Sequence, residues 1–77
     1  MISIKFAQRF KSIREDYEPF QNQSQLGKAI GMSQRKISFM ETGRSEPSLQ
    51  DLAEICNYYN LSADYLLGLS DEPRQLK

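Results

Sequence analysis

Gly31-Met32-Ser33-Gln34-Arg35-Lys36-Ile37-Ser38-Phe39-Met40-Glu41 is the stretch on which the fold turns. Gly31 closes a short helical pattern; with no Cβ to clash, it can take the left-handed conformation that ends a helix. Ser33 follows as a cap. Its hydroxyl is placed to accept from free backbone N–H groups of the next turn, which predicts a new helix starting at or next to Gln34. At 3.6 residues per turn, Ile37, Met40 and the stem of Glu41 share one side, whereas Gln34, Arg35, Ser38 and Phe39 lie towards the other. The result is a short helix, delivered by a tight turn, with one polar face turned outward.

Upstream of that turn, Asn22 caps a helix expected over about Gln23 to Ile30, with Gln25 in the position that completes a weak capping box. Leu26, Ala29 and Ile30 are expected to point inward. Gly27 lowers helix stability relative to alanine, so its presence suggests a close approach by the neighbouring helix. Two short helices joined this tightly, the second with a polar outward face, form a helix-turn-helix. Further upstream, Phe6, Phe10, Ile13 and Tyr17 recur on one face of a first helix predicted from about Ile4 to Asp16. Pro19 prevents that helix from continuing, and the loop around it carries Phe20, expected to tuck into the core.

Downstream, Thr42-Gly43 ends the third helix and Arg44-Ser45-Glu46-Pro47 is a loop of turn-forming residues. Ser48 caps a fourth helix whose apolar stripe is Leu49, Leu52, Ile55, Cys56 and Tyr59, with Asp51 suited to the positive end of the helix dipole. Asn60 closes it. Ser62 caps a last short helix, Ala63 to Leu67, ended by Gly68. The expected fold class is therefore all-α, a five-helix bundle over residues 1–68, with 69–77 a frayed tail or the beginning of a linker.

Seventy-seven residues make one domain near the lower limit for a core unaided by metal, disulfide or partner chain. The single cysteine excludes an internal disulfide, and the lack of histidine removes the commonest metal ligand and general base. No metal and no cofactor is expected. No apolar run approaches the ~20 residues of a membrane helix, and the N-terminus lacks a signal-peptide core, so a soluble cytoplasmic protein without membrane contact is expected. The formal net charge is zero, but residues 1–44 hold eight basic side chains against four acidic, and residues 45–77 two against six. Such asymmetry suggests that one half faces an anionic partner.

Taken together, Asn22-Gln23, Leu26-Gly27, Ile30 to Gln34, Ile37-Ser38, Glu41 to Arg44, Pro47 to Leu49, Leu52, Leu61-Ser62 and Tyr65 to Gly68 resemble the phage-repressor, or Xre/Cro-like, helix-turn-helix family over roughly residues 4 to 68. The resemblance implies a lambda-repressor-like five-helix domain, usually dimeric, that binds short palindromic operators in double-stranded DNA. It implies that Gln23 contacts a phosphate and braces Gln34, and that Gln34 and Arg35 read bases. Glutamine pairs bidentately with adenine, and arginine with guanine, in the major groove. Ser38 and Phe39 occupy the next turn of that reading face. Lys36 and Arg44 match flanking positions that hold the phosphate backbone, and Arg14 and Glu41 resemble a structural ion pair. Lys28 is open between a solvated charge and a phosphate contact.

Three features depart from the family pattern. The loop between the first two helices is longer than usual and acidic. Gly27 replaces the usual alanine. Phe39 stands where the family often has a polar base reader, either touching a thymine methyl or serving as an exposed aromatic for another partner. Tyr58, Tyr59, Tyr65 and Leu69 exceed what the interior of so small a domain readily covers, and a two-fold dimer contact is their expected use.

The leading expectation is a sequence-specific transcriptional regulator, a repressor without enzymatic activity, reading DNA with its third helix. The alternative is an antitoxin-type or adaptor protein whose acidic C-terminal half binds a protein partner.

Overall fold

The computed structural model describes residues 5–74, and its helices begin and end where short-range hydrogen bonding dictates. They are α1 (Phe6–Asp16), α2 (Gln23–Ile30), α3 (Gln34–Glu41), α4 (Leu49–Tyr59) and α5 (Ala63–Leu67), with no strand among the described residues. Asn22 opens α2 through a full capping box: its side chain accepts from the Gln25 N–H at 2.8 Å while the Gln25 side chain accepts from the Asn22 N–H at 2.9 Å. Ser48 and Asp51 form the same reciprocal pair at α4, both contacts 3.0 Å. Ser33 and Ser62 cap α3 and α5 as expected. α1 starts at Phe6, later than its expected origin at Ile4, which lies outside the described residues.

One core joins all five helices: Phe6 and Phe10 of α1, Leu26 of α2, Ile37 and Met40 of α3, Ile55, Cys56 and Tyr59 of α4, and Leu66 of α5. α3 packs chiefly against α1 and α2, so the amphipathic pattern of the opening stretch fixes its roll: Ile37 and Met40 have no exposed surface, and Gln34 and Arg35 are exposed.

Several expectations about the core are corrected. Phe20 is 58% exposed, because the space at that end is filled by Tyr17, Tyr58 and Tyr59, whose ring centroids lie 4.9 to 6.0 Å apart. Leu49 is 87% exposed, since as the first residue of α4 it sits at the helix mouth, and the inward stripe starts a turn later. Ala29 is also exposed, leaving Leu26 and half-buried Ile30 to hold α2 down. Gly27 does mark a close approach, but chiefly by the backbone of the α2–α3 turn. A Cβ there would overlap the Met32 carbonyl oxygen and meet Ile37 Cδ1 at 3.4 Å.

Beyond α5 the described chain folds back towards the start of that helix. The Ser62 N–H donates to the Pro73 carbonyl at 2.9 Å, and Leu61 and Arg74 form an isolated antiparallel bridge. Arg9 clamps the same region. Its guanidinium donates to the Tyr65 and Ser70 carbonyls at 2.6 and 2.7 Å, meets Asp71 at 3.1 Å, and lies 4.2 Å from the centre of the Tyr65 ring. No helix among the described residues is long and apolar enough to cross a membrane.

Candidate nucleic-acid interface

The turn Gly31–Ser33 brings the N-terminus of α3 beside that of α2. Gly31 adopts φ +74°, and the N–H groups of Gly31 and Met32 both donate to the Gly27 carbonyl, folding the chain back so that Ser33 can open the next helix. Gln34, the first residue of α3, thereby faces Gln23, the first residue of α2. Its Nε2 donates to Gln23 Oε1 at 2.6 Å.

That contact is the outer end of a chain of hydrogen bonds that begins in the interior. Glu41 and Arg14, both buried, form a bidentate pair: Arg14 Nε to Glu41 Oε2 at 2.6 Å and a terminal Arg14 nitrogen to Glu41 Oε1 at 2.9 Å. The hydrogen bond to Glu41 raises the Arg14 guanidinium above its ordinary pKa despite the opposing effect of burial. The other terminal Arg14 nitrogen donates to the Gln21 carbonyl at 3.2 Å. Gln23 Nε2 donates to Glu41 Oε1 at 3.0 Å. The carboxylate accepts only, so it must face the Gln23 amino group, and the Gln23 carbonyl oxygen is left pointing at Gln34. Arg14 and Glu41 are thus the ion pair of the fold, with Gln23 and Gln34 added to it.

A second cluster runs along the exposed side of α3 to the loop that follows it. The Arg35 guanidinium lies 5.4 Å, and the Arg44 guanidinium 5.5 Å, from the centre of the Phe39 ring. Phe39 is half-buried, and its carbonyl accepts from the Arg44 and Ser45 N–H groups at 2.9 and 3.2 Å, so the loop after α3 is tied to the residue that carries the ring. Ser38, between the two clusters, is half-buried, and its carbonyl accepts from the Thr42 hydroxyl at 3.0 Å. Gln34, Arg35, Ser38 and Phe39 therefore share one face, with Arg44 joining it from the loop.

Lys36 is engaged elsewhere. Its ammonium lies 2.7 Å from Asp51 and ties α3 to α4. Burial raises the Asp51 carboxyl, but the hydrogen bonds from Lys36 and Ser48 outweigh it and hold the group below its ordinary pKa. Lys28 is exposed on the last turn of α2.

The four residues assigned to a dimer contact are divided. Tyr59 belongs to the core of the protomer, and burial pushes its phenol well above the ordinary range. Tyr58 is half-buried and donates its hydroxyl to Gln21 Oε1 at 3.0 Å. Tyr65 is half-buried beneath Arg9, and Leu69 is 55% exposed. Three tyrosines thus have partners within their own chain, which removes the expected surplus of uncovered rings. Sequence reasoning missed Arg9 and the Lys36–Asp51 tie. The Ser48-x-x-Asp51 spacing did carry a signal for the buried carboxylate.

Comparison with known proteins agrees with this geometry. A helix-turn-helix family model matches residues 22–66. The uncharacterized HTH-type transcriptional regulator YobD of Bacillus subtilis (strain 168) is 29% identical over 68 residues, which are 88% of this chain and 59% of that protein, so the chain spans well under two thirds of that relative. Among solved structures, the P22 c2 repressor in complex with a synthetic operator superposes with a TM-score of 0.77 at 28% identity, covering 88% of this chain and all of that one. The SOS-response repressor LexA of Eubacterium rectale shares the fold with a TM-score of 0.75 at 20% identity, over 95% of this chain and 71% of that one. The capped turn, the braced first residue of α3 and these matches lead to one assignment: the chain belongs to the helix-turn-helix family, in its phage-repressor-like branch.

Proposed function

We propose that this chain is the DNA-binding domain of a sequence-specific transcriptional regulator, a repressor, that reads the major groove with the exposed face of α3. The observation that carries this reading is the hydrogen-bond chain ending on Gln34. One N–H of its amide is taken by Gln23, and with the residue exposed the other N–H and the carbonyl oxygen remain for a base. That donor and acceptor match N7 and N6–H₂ of adenine. Arg35, exposed on the same face, is the guanine reader, and Arg44 is a phosphate contact at the edge. The P22 c2 repressor, solved with a synthetic operator, supports operator DNA as the partner of the present chain. Lys36, paired with Asp51, has a smaller part in phosphate binding than its position in the family pattern implies.

Two copies related by a two-fold axis would set their α3 helices about 34 Å apart, one turn of DNA, and call for a palindromic site. Leu69 is the residue of the expected dimer surface that retains large exposed area for such a contact.

The test is enrichment of a random duplex pool on the purified protein at about 150 mM salt, where nonspecific phosphate binding is weakened, beside a variant carrying Gln34→Ala and Arg35→Ala. A palindromic motif recovered by the wild type alone supports a dimeric reader that uses α3. Recovery of no motif, with binding that disappears at modest salt, would overturn base reading.

A further inference from the structure

The cluster around Phe39 holds two cations that ordinary electrostatics would separate. Arg35 and Arg44 carry like charges, yet both guanidiniums lie over one aromatic ring at 5.4 and 5.5 Å. An aromatic face attracts a guanidinium electrostatically, and apolar contact with the ring restricts an otherwise mobile side chain. The backbone reinforces the arrangement, since the Phe39 carbonyl accepts from the Arg44 N–H and brings the loop to the same ring. Arg35 has no ion-pair partner among the described residues.

We propose that Phe39 is a positioning residue: it does not read a base, but pre-organises Arg35 over the groove and Arg44 beside the backbone as one paired anion grip, whose target is a guanine edge with an adjacent phosphate. The proposal rests on the DNA-reading function above and deepens it. Two arginines held before binding lose less side-chain freedom on docking. Base preference at the position read by Arg35 then depends on a side chain that never touches that base. A thymine-methyl contact, the other use of an aromatic at this position, needs the ring edge free to meet the groove and predicts no dependence on either arginine.

The test uses the full chain and the duplex enriched by the wild type. Affinities for that duplex, and for one with the Arg35-dependent base pair exchanged, are measured for wild type, Phe39→Leu, Phe39→Tyr, Arg35→Ala and the Phe39→Leu, Arg35→Ala double variant. Phe39→Leu keeps an apolar side chain without a π face and is expected to cut the preference at that base pair about fivefold to tenfold. Phe39→Tyr, which retains the face, is expected to keep the preference and guards against a leucine variant that fails to fold. In the Arg35→Ala background, Phe39→Leu should change the preference by less than about twofold.

Equal losses with and without Arg35 would overturn the proposal, as would a loss reproduced by replacing one thymine with uracil. If wild type enriches a motif and the cycle is additive, only the role of Phe39 falls. If wild type enriches nothing, the DNA-reading function falls and this inference falls with it.

Discussion

The two neighbouring residues that open α3, Gln34 and Arg35, are held on opposite principles. At its N-terminus Gln34 is held by directional hydrogen bonds that run through Gln23 to a carboxylate and a guanidinium sealed in the core. One residue further on, Arg35 is gathered with Arg44 of the following loop over the half-buried Phe39 ring. Hydrogen bonds in the low-dielectric interior are strong, geometrically strict and costly to leave half-made. Cation–π contacts at a surface tolerate displacement and are worth only about 1 kcal/mol. The difference teaches that one short helix can carry a fixed reader and an adaptable one, because the two draw on separate supports.

The largest expected effect breaks the rigid support. Glu41→Ala leaves the Arg14 guanidinium buried without its partner and is expected to cost about 3–5 kcal/mol of stability, read from urea unfolding midpoints. Replacing both partners, with Arg14→Met and Glu41→Leu, should recover much of that loss. An unchanged midpoint for Glu41→Ala would deny the pair its place in the fold. Gly27→Val attacks the seating of Gln34 through the turn, because its branched side chain meets the Met32 carbonyl and Ile37. An increase in unfolding rate and a loss of about 1–3 kcal/mol are expected.

The adaptable cluster should respond in binding and not in folding. Arg35→Ala is expected to lose about 1–3 kcal/mol of operator affinity and relax one base position, whereas Arg44→Ala weakens all sequences and lowers the log–log salt slope by about one. Both should leave the unfolding midpoint within about 0.5 kcal/mol. Identical behaviour of the two variants on every duplex would remove the distinction between reader and phosphate contact.

The smallest effect is a pH dependence on the α3–α4 tie. The Asp51 carboxyl is held below its ordinary pKa in the folded chain, so the folded state binds its proton less readily than the unfolded state. The stability it contributes is complete above the unfolded pKa of about 4 and is lost as pH falls through the folded value. Lys36 is almost half exposed, so screening limits the contribution to about 1 kcal/mol or less. Thermal midpoints measured across pH 2 to 6 should flatten by that amount in Asp51→Asn.

Legibility in the sequence followed the range of the interactions. Asn22, Ser33, Ser48 and Ser62 each act on a backbone N–H three residues ahead, and Gly31, Asn60 and Gly68 each end a helix through their own left-handed conformation. Such signals are readable one window at a time, and so the helices and the roll of α3 were accessible. The Arg9 clamp reaches 56 to 62 residues along the chain, and its recipients include two backbone carbonyls that no side-chain pattern encodes. Phe20 was misjudged because hydrophobicity alone does not say that three tyrosines already occupy that end. The Arg14–Glu41 pair, 27 residues apart, was accessible only through family resemblance. Phe39 stood out as atypical, but its two arginine partners depend on how the loop after α3 folds back.

The orientation of the Gln23 amide also bears on how such a protein diversifies. Under the proposed role, the donor and acceptor that Gln34 offers to an operator are dictated by a carboxylate that touches no DNA. Substitution at an interior position could therefore alter which promoters a descendant controls, while most changes on the recognition face would have to remain compatible with Gln23 and Glu41. Core and target would evolve as linked characters, with the Phe39 cluster freer to explore new sites.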